Sequence, residues 1–200
     1  MLEESVQVLC DKKLLLYPTD TVWGIGGDAT DVDVVKRIYS LKERANNKAM
    51  IGLVATIDML SAYIEDFPNA ILPYLEETRP TTVIYDGAKG FAENLIGTDG
   101  SIALRIPKHD FCLQLIQAFG KPIISTSANI SGQPTPKDFQ SIDRKILEGV
   151  DYIVPLDQEK TASKPSRIIK IDRDGAIEII REWACKPTLV QFYNSPYFKR

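Results

Sequence analysis

The sequence predicts an α/β protein built on a mixed sheet, and three observations lead to that prediction. Short apolar segments of strand length recur along the 200 residues, most of them rich in β-branched or aliphatic side chains. Segments with helical periodicity stand between them, an order typical of α/β domains. The last two apolar segments, 167–171 and 176–181, are joined through Asp174 and Gly175, which predicts an antiparallel hairpin.

The individual elements follow from the same patterns. Strands are expected at 14–18, 50–54, 81–85, 101–107, 121–126, 152–154, 167–171 and 176–181. A helix is expected from Asp31 to Arg44, because Asp31 is a good N-cap and the apolar residues that follow share one face. A second helix should follow Pro107.

Three further features complete the predicted organisation. Pro68 and Pro73 should divide segment 57–77 into short helices. The polar segment 159–165 is expected to be a mobile loop. We expect one domain over 1–200, with a core at about 14–181 and a C-terminal tail at 182–200.

The charge and hydropathy of the chain limit the classes of partner and the cellular locations that we expect for it. The net charge of −3 gives no overall attraction to nucleic acid or to an anionic membrane, so any basic site must be local. The chain lacks an apolar stretch of eighteen residues and an N-terminal basic region followed by an apolar run. We therefore expect a cytoplasmic location and no membrane contact.

Cysteine and histidine are too sparse for metal or nucleophile chemistry. Cys10, Cys112 and Cys185 lie far apart without a CxxC pair, so they indicate neither disulfides nor a thiolate zinc site, and core positions are expected. The one histidine, His109, excludes a histidine-cluster metal site and fits the start of a helix as well as a catalytic role. No metal ligands are predicted.

The first candidate segment is YPTDTVWGIGGDA at 17–29. Two hydroxyls flank an acid at Thr19, Asp20 and Thr21, and glycines follow at 24, 26 and 27, just before the first helix. Glycines allow close approach of a ligand, and a helix start offers free N–H groups to an anion. The alternative is a turn-rich connection, since the glycines match neither the Walker nor the Rossmann pattern.

The second candidate is the basic segment 36–48, which holds five cations and one acid, Glu43. Lys42 and Arg44 stand near the end of the predicted helix, where they could converge on a polyphosphate. The alternative is a solvated face whose cations complement the helix dipole.

The third candidate is IISTSANISGQPTPKDF at 123–139, where short hydroxyl and amide side chains follow an apolar strand. Such side chains at the C-terminal end of a strand are typical of ligand sites in open α/β sheets. A Ser- and Asn-rich surface loop is the alternative.

Five motifs in one order resemble a known family. They are PTDTVWGIGGDA, Lys42-x-Arg44, Arg105-x-Pro107, Ser127-x-Asn129-x-Ser131-Gly132 and KPSRIIKI. Together they resemble the YrdC-type family of threonylcarbamoyl-AMP synthases over about 14–181, in its short, single-domain bacterial form. The resemblance implies a twisted mixed α/β sheet with helices packed around it and a large, basic, concave cavity.

The resemblance also implies an activity and its ligands. The expected reaction joins L-threonine, bicarbonate and ATP into L-threonylcarbamoyladenylate and pyrophosphate. Mg²⁺ is expected to arrive with ATP. The adenylate is expected to serve a downstream tRNA threonylcarbamoyl-transferase complex, and contact with tRNA or double-stranded RNA is implied as well.

Residue roles follow from the same motifs, as implications of the resemblance. Threonine would be bound by Thr19, Thr21, Arg105, Ser127 and Ser166. The nucleotide would be bound by Arg44, Lys48, Ser101, Asn129 and Arg181. Catalysis would depend on the cations Lys42 and Arg44.

The chain departs from the family pattern at four points. Leu53 stands where a histidine is usual, and Ser166-Arg167 replaces a Ser-Thr pair. Arg181-Glu182-Trp183 replaces Arg-Pro-Gly, and Lys137 falls where a hydroxyl is expected, although Thr135 is near.

Two alternatives remain open. One is a double-stranded RNA-binding module of translation or ribosome maturation, which a pI near 5.3 does not favour. The other is a carbamoyl-transfer domain of a maturation enzyme. Such enzymes are longer and contain zinc fingers, whereas this sequence has no CxxC pair.

Overall fold

The computed structural model describes residues 1–44, 50–161 and 163–182, which form helices around one sheet. The strands are β1 Leu15–Tyr17, β2 Gly24–Gly26, β3 Ile51–Leu53, β4 Thr81–Tyr85, β5 Ile102–Arg105, β6 Ile123–Ser127, β7 Tyr152–Ile153, β8 Arg167–Ile171 and β9 Ile177–Arg181. The helices are α1 Leu2–Cys10, α2 Val32–Leu41, α3 Ile57–Ala62, α4 Leu72–Glu76, α5 Asp110–Phe119 and α6 Arg144–Gly149. Short 3₁₀ turns lie at Asn69–Ile71 and Phe139–Ser141.

The sheet is mixed, as predicted. Its strand order is β7-β1-β2-β6-β3-β5-β4-β8-β9. The pairs β1/β7, β3/β5 and β4/β8 are parallel, and the other neighbouring pairs are antiparallel. The β8–β9 hairpin turns at Gly175, whose φ of +85° explains the glycine.

The two faces of the sheet are covered unequally. Alternation along β4 points Val83 and Tyr85 to one face and Thr82 and Ile84 to the other. The first face carries the main core, beneath α2, α3 and α4. On the second face α1 and α5 pack over part of the sheet only, in a smaller core that includes Leu53. The rest of that face stays open, and it forms the site described below.

Most predicted helices are confirmed, with one shift of boundary. The Asp31 carboxylate accepts hydrogen bonds from the N–H groups of Asp33 and Val34, so the predicted cap is present. The helix ends at Leu41 and not at Arg44. The short helices in 57–77 and the helix after Pro107 are confirmed. His109 is the N-cap residue of α5.

Three elements were not predicted: α1, β2 and α6. β2 is hidden because glycines form it, where the sequence favours a loop. A side chain at Gly26 would stand 2.5 Å from the Tyr17 ring and 2.7 Å from the Ile124 carbonyl oxygen, and one at Gly27 would meet Val34 at 2.4 Å. These two glycines therefore serve close packing. At the N-terminus of α2 the Asp31 carboxylate accepts from two of the free N–H groups, so the anion site considered for this helix start stays a prediction that the geometry does not support directly.

The remaining expectations on placement are mixed. Cys112 is buried as expected, and burial raises the pKa of its thiol, but Cys10 is exposed. Cys185 and the predicted tail beyond Glu182 lie outside the described residues. In the described ranges, no helix combines the length and hydropathy needed to cross a bilayer.

Candidate active site

A cavity of about 360 Å³ opens on the uncovered part of the second sheet face. Strands β2, β3, β4, β5, β6 and β8 contribute Gly24, Ile51, Thr82, Ile84, Ala103, Arg105, Ser125, Thr126, Ser127 and Ile168 to its lining. Arg44, Arg105 and Arg181 also face it, whereas none of its described lining residues is acidic. Such a cavity suits a ligand with several negative charges.

The cavity brings together seven of the predicted site residues. They are Thr19, Thr21, Arg44, Arg105, Ser127, Ser166 and Arg181. Lys42, Ser101 and Asn129 are not among the lining residues, and Lys48 lies outside the described residues. Thr135, noted as close to an expected hydroxyl position, does line the cavity.

Arg105 is a buried donor at the end of β5. It is 4% exposed, and its Nη1 donates to the Thr21 hydroxyl at 3.1 Å. Its Nη2 lies 3.4 Å from Oδ1 of Asp20, whose Oδ2 accepts from the Lys108 N–H at 3.0 Å. The Arg105 Nε has no hydrogen-bond partner in the described ranges. One carboxylate therefore holds this guanidinium, which keeps capacity for a second anion.

The two threonine hydroxyls beside Arg105 are oriented by their partners. Thr19 Oγ1 donates to the Val22 carbonyl at 2.7 Å and accepts from the Thr21 N–H at 3.1 Å. The two hydroxyl oxygens are 3.0 Å apart. Because Thr19 gives its proton to Val22, Thr21 is the donor between them. Thr21 also accepts from Arg105, so its remaining capacity is one acceptor lone pair, suited to an ammonium or hydroxyl.

Ser166 and Arg181 hold the opposite side of the cavity. The Ser166 hydroxyl is 2.8 Å from the Thr82 hydroxyl on β4. The Ser166 backbone carbonyl accepts hydrogen bonds from Arg181 Nε at 3.2 Å and Nη2 at 2.7 Å. Burial lowers the pKa of Arg181 and of Arg44 from the ordinary arginine value. Partial desolvation strengthens the attraction of both guanidinium groups for a bound anion.

Lys42 has a different place from the predicted one. It is 1% exposed, and its ammonium donates to the carbonyls of Ser127 and Asn129, the latter at 2.6 Å. The Lys42 carbonyl in turn accepts from the Ser131 N–H at 2.8 Å. Desolvation, together with the nearby Arg44, lowers the pKa of Lys42 to about 8. In this structure Lys42 anchors segment 127–131 and does not face the cavity.

Asn129 and Ser101 are also directed elsewhere. The Asn129 amide donates to the carbonyls of Ile130 at 3.0 Å and Gln133 at 2.8 Å. The Ser101 hydroxyl donates to Asp99 at 2.6 Å. Ser101 stands at the opposite end of β5 from Arg105, about 13 Å away at the rise of a strand. Their nucleotide contacts stay predictions that this geometry does not support directly.

Several lining residues escaped the sequence reasoning. Thr82 faces the cavity because it alternates with Val83 in β4, a period-two signal that was available in TTVIY. Met50 and Pro165 also line it. Leu53, in place of the family histidine, is fully buried in the smaller core and lies outside the lining.

A second, smaller pocket of about 240 Å³ shares Thr19, Thr21 and Val22 with the first. Its far wall contains His109, whose Nε2 lies 3.1 Å from the Asp157 carboxylate. A hydrogen bond from Lys160, supported by His109, lowers the pKa of Asp157. Lys160, Thr161 and Ser163 of the segment predicted to be a mobile loop line this pocket, and the Ser163 N–H donates to the Thr21 carbonyl at 2.6 Å.

The described side chains offer no ready metal cage. Within 1–44, 50–161 and 163–182, no group of three His, Cys, Asp or Glu residues is placed to hold a metal ion. The cavity itself presents hydroxyls and guanidinium groups.

Comparisons with known proteins agree with the resemblance. A family model for Sua5, YciO and YrdC proteins, described as telomere recombination, matches residues 7–182. A threonylcarbamoyl-AMP synthase of Hahella chejuensis is 32% identical over 177 residues, which cover 88% of this chain and 94% of that protein.

Two solved structures share the fold. Escherichia coli YciO matches with a TM-score of 0.76 at 22% identity, over 90% of this chain and 88% of that one. Sua5 of P. abyssi in complex with L-threonine matches with a TM-score of 0.77 at 24% identity, over 85% of this chain and 50% of that one. With the family match spanning most of its length, this chain belongs to the Sua5/YciO/YrdC family.

Proposed function

We propose that this chain is a threonylcarbamoyl-AMP synthase, which forms L-threonylcarbamoyladenylate and pyrophosphate from L-threonine, bicarbonate and ATP. One observation supports this above the others. Seven residues expected to bind threonine or ATP, distant in sequence, line a single cavity that has three arginines and no acid among its described lining residues. The name of the Hahella chejuensis relative points the same way.

The proposed reaction has two bond-forming steps. The threonine nitrogen attacks the carbon of bicarbonate, and loss of water gives a carbamate. A carbamate oxygen then attacks the α-phosphorus of ATP, and the bond from that phosphorus to the bridging oxygen breaks as pyrophosphate leaves. Negative charge gathers on the α-phosphate and the leaving group, so fixed cations are the principal catalytic requirement.

The structure suggests how the substrates divide the cavity. Arg105, buried beside Thr21, is suited to the threonine carboxylate, and the free lone pair on Thr21 to its ammonium or hydroxyl. Arg44 and Arg181 are suited to the phosphates. Ser127 and Ser166 also line the cavity and supply short hydroxyls.

Mg²⁺ fits this arrangement as an ion carried by ATP. The described lining provides oxygen donors from Thr and Ser but no carboxylate. Mg²⁺ in such sites is held largely by substrate phosphates and water. Bound there, it would neutralise phosphate charge, while the side chains orient the two substrates.

The proposal extends to the fate of the product. A mixed anhydride of a carbamate and AMP is reactive toward amines, so a transferase complex acting on tRNA is the expected consumer. A cytoplasmic location is part of the same proposal.

Pyrophosphate release under substrate omission tests the proposed reaction. Release should require threonine and bicarbonate together, because the carbamate is the attacking group. Arg44→Ala should abolish most of it, whereas Arg144→Ala, an exposed arginine on α6, should behave as wild type. ATP hydrolysis at an equal rate without threonine and bicarbonate would refute the proposal. Tight binding of double-stranded RNA without turnover would favour the RNA-binding alternative.

A further inference from the structure

The end of α2 has a backbone conformation that few residues other than glycine adopt. The Glu43 N–H donates to the Ser40 carbonyl at 3.1 Å, and the Arg44 N–H donates to the Tyr39 carbonyl at 2.9 Å. This pair of bonds is a Schellman motif, whose residue beyond the cap is left-handed and most often glycine. Here that residue is Glu43, with φ of +50°.

The motif separates two cations that are close in sequence. The Lys42 side chain is directed away from the cavity, and its ammonium donates to the carbonyls of Ser127 and Asn129. The Arg44 side chain lines the cavity, as Ser127 does. Were the backbone extended here, side chains two residues apart would point to the same side. The left-handed turn at Glu43 therefore places Arg44 in the cavity and Lys42 outside it.

The Glu43 side chain ties the turn to a neighbouring helix. Its carboxylate forms an ion pair with Lys145 in α6. Two further contacts join the same region: Leu41 packs against Gly149, and Arg37 pairs with Asp151 at 2.6 Å. An exposed ion pair contributes little to global stability, but it can hold one local geometry against others of similar energy.

The end of α1 repeats this arrangement away from the cavity. The N–H groups of Lys12 and Lys13 donate to the carbonyls of Leu9 and Val8. Lys12 is left-handed, with φ of +58°, and pairs with Asp31 at 2.8 Å. The chain thus contains a matched control with the same motif, the same strain and no part in the site.

We propose that Glu43 is a positioning residue for the proposed nucleotide site. Its left-handed backbone directs the Arg44 guanidinium into the cavity, and its ion pair with Lys145 holds that direction. Glu43 acts through Arg44 and touches no substrate. This inference rests on the proposed function, because it assigns Arg44 to the phosphates of ATP.

Two substitutions at one position separate backbone from side chain. Glu43→Gly keeps the left-handed turn at no steric cost and removes the side chain with its carboxylate. Glu43→Val removes the carboxylate and opposes the turn, because β-branched residues disfavour positive φ. We expect calorimetric titration to show ATP binding within about threefold of wild type for Glu43→Gly and about tenfold weaker for Glu43→Val. Threonine affinity should change less than twofold in both.

Three controls keep the test decisive. Lys12→Val and Lys12→Gly should differ in melting temperature as the Glu43 variants do, but not in ATP affinity. Lys145→Ala should weaken ATP binding about threefold without changing the turn. Where Glu43→Val folds poorly, Glu43→Ala, which also opposes positive φ, takes its place.

The outcomes distinguish this inference from the proposed function. Equal ATP affinity in the Gly and Val variants, with wild type binding ATP, would overturn the role of Glu43 and leave the proposed function standing. A loss in Lys12→Val equal to that in Glu43→Val would also overturn it, since the effect would then be general destabilisation. Absence of ATP binding to wild type would overturn both.

Discussion

The arginines of the cavity are held in two different ways. Arg105, proposed for threonine, extends from a central strand, is 4% exposed and is fixed by Thr21 and Asp20. Of the two arginines proposed for the phosphates, Arg44 follows the end of α2 and Arg181 ends β9, which occupies one edge of the described sheet. The position of Arg105 is set by the core, and the positions of the other two by how two elements terminate.

Because of this difference, we expect the loss of Arg105 and the loss of Arg44 to affect folding stability and turnover differently. Removing Arg105 leaves a buried carboxylate without its cation, so both folding and turnover should suffer. Removing Arg44 takes away a half-buried cation beyond the end of a helix, so turnover should suffer alone. Substitutions of Arg105 and of Arg44 therefore test whether the two kinds of arginine are as independent as their construction indicates.

The largest effect is expected for Arg105→Met. Turnover should fall roughly a thousandfold. The free energy of unfolding should fall by about 3–5 kcal/mol, because Asp20 keeps a buried charge without its partner. Chemical denaturation and pyrophosphate release measure the two quantities. Adding Asp20→Asn should restore much of the stability and none of the turnover. A single variant as stable as wild type would show that Arg105 is not held by this pair.

Arg44→Ala should lower turnover by about a hundredfold, in line with the loss of one preorganised donor. The free energy of unfolding should change by no more than about 1 kcal/mol, since a cation near a helix end contributes little more. Steady-state kinetics and denaturation compare it with wild type. Normal turnover, or a failure to fold, would each contradict the separation of stability from catalysis at Arg44.

Lys42 provides a test through pH. Desolvation lowers its pKa in the folded protein to about 8, whereas in the unfolded chain it keeps an ordinary value near 10.5. Between these values the unfolded chain binds a proton that the folded protein has released, so folding becomes more favourable as pH rises. Relative to Lys42→Met, wild type should gain up to about 3 kcal/mol between pH 8 and 10.5. The two carbonyl partners favour the protonated form and make this an upper limit.

Denaturation of wild type and Lys42→Met across that pH range measures the difference. A difference that stays constant, or one that falls as pH rises, would show that the Lys42 ammonium remains protonated in its buried place.

The smallest effect is expected from segment 127–129. Ser127→Ala should weaken threonine binding about fivefold, the loss of one hydrogen bond, with less effect on ATP. Asn129→Ala should weaken ATP more than threonine, through the loop that Lys42 and the Asn129 amide hold together. Calorimetric titration of each ligand into each variant measures both effects. Equal losses of both ligands in both variants would end the proposed division.

The sequence predicted best those site residues that lie on strands or at strand ends. The polar end of a strand predicted that Ser127 would belong to a site, and Ser127 does line the cavity, whereas Arg105 was predicted from the resemblance alone. Period-two alternation would have found Thr82. The fold class was predicted equally well, since apolar segments and helical stretches alternate along the whole chain.

The parts set by turns could not be predicted. Lys42 and Arg44 look equivalent in sequence. Their side chains point in different directions because Glu43 between them is left-handed, a conformation for which glutamate has a low preference. β2 was hidden because two of its three residues are glycines, and the close packing of Gly26 against Tyr17 and the Ile124 carbonyl exists only once β1 and β6 lie beside it. The Ser101 hydroxyl donates to Asp99, two residues away, and the sequence does not show whether this hydroxyl bonds locally or to a ligand.

The most direct test of the proposed function is detection of its product. Purified protein incubated with ATP, Mg²⁺, ¹³C-bicarbonate and L-threonine should form a compound with the mass of threonylcarbamoyl-AMP, labelled at the carbamate carbon. Arg105→Met and Arg44→Ala should each form little of it, although only the first should be unstable. An active wild type that releases AMP and pyrophosphate without the labelled adduct would contradict the account.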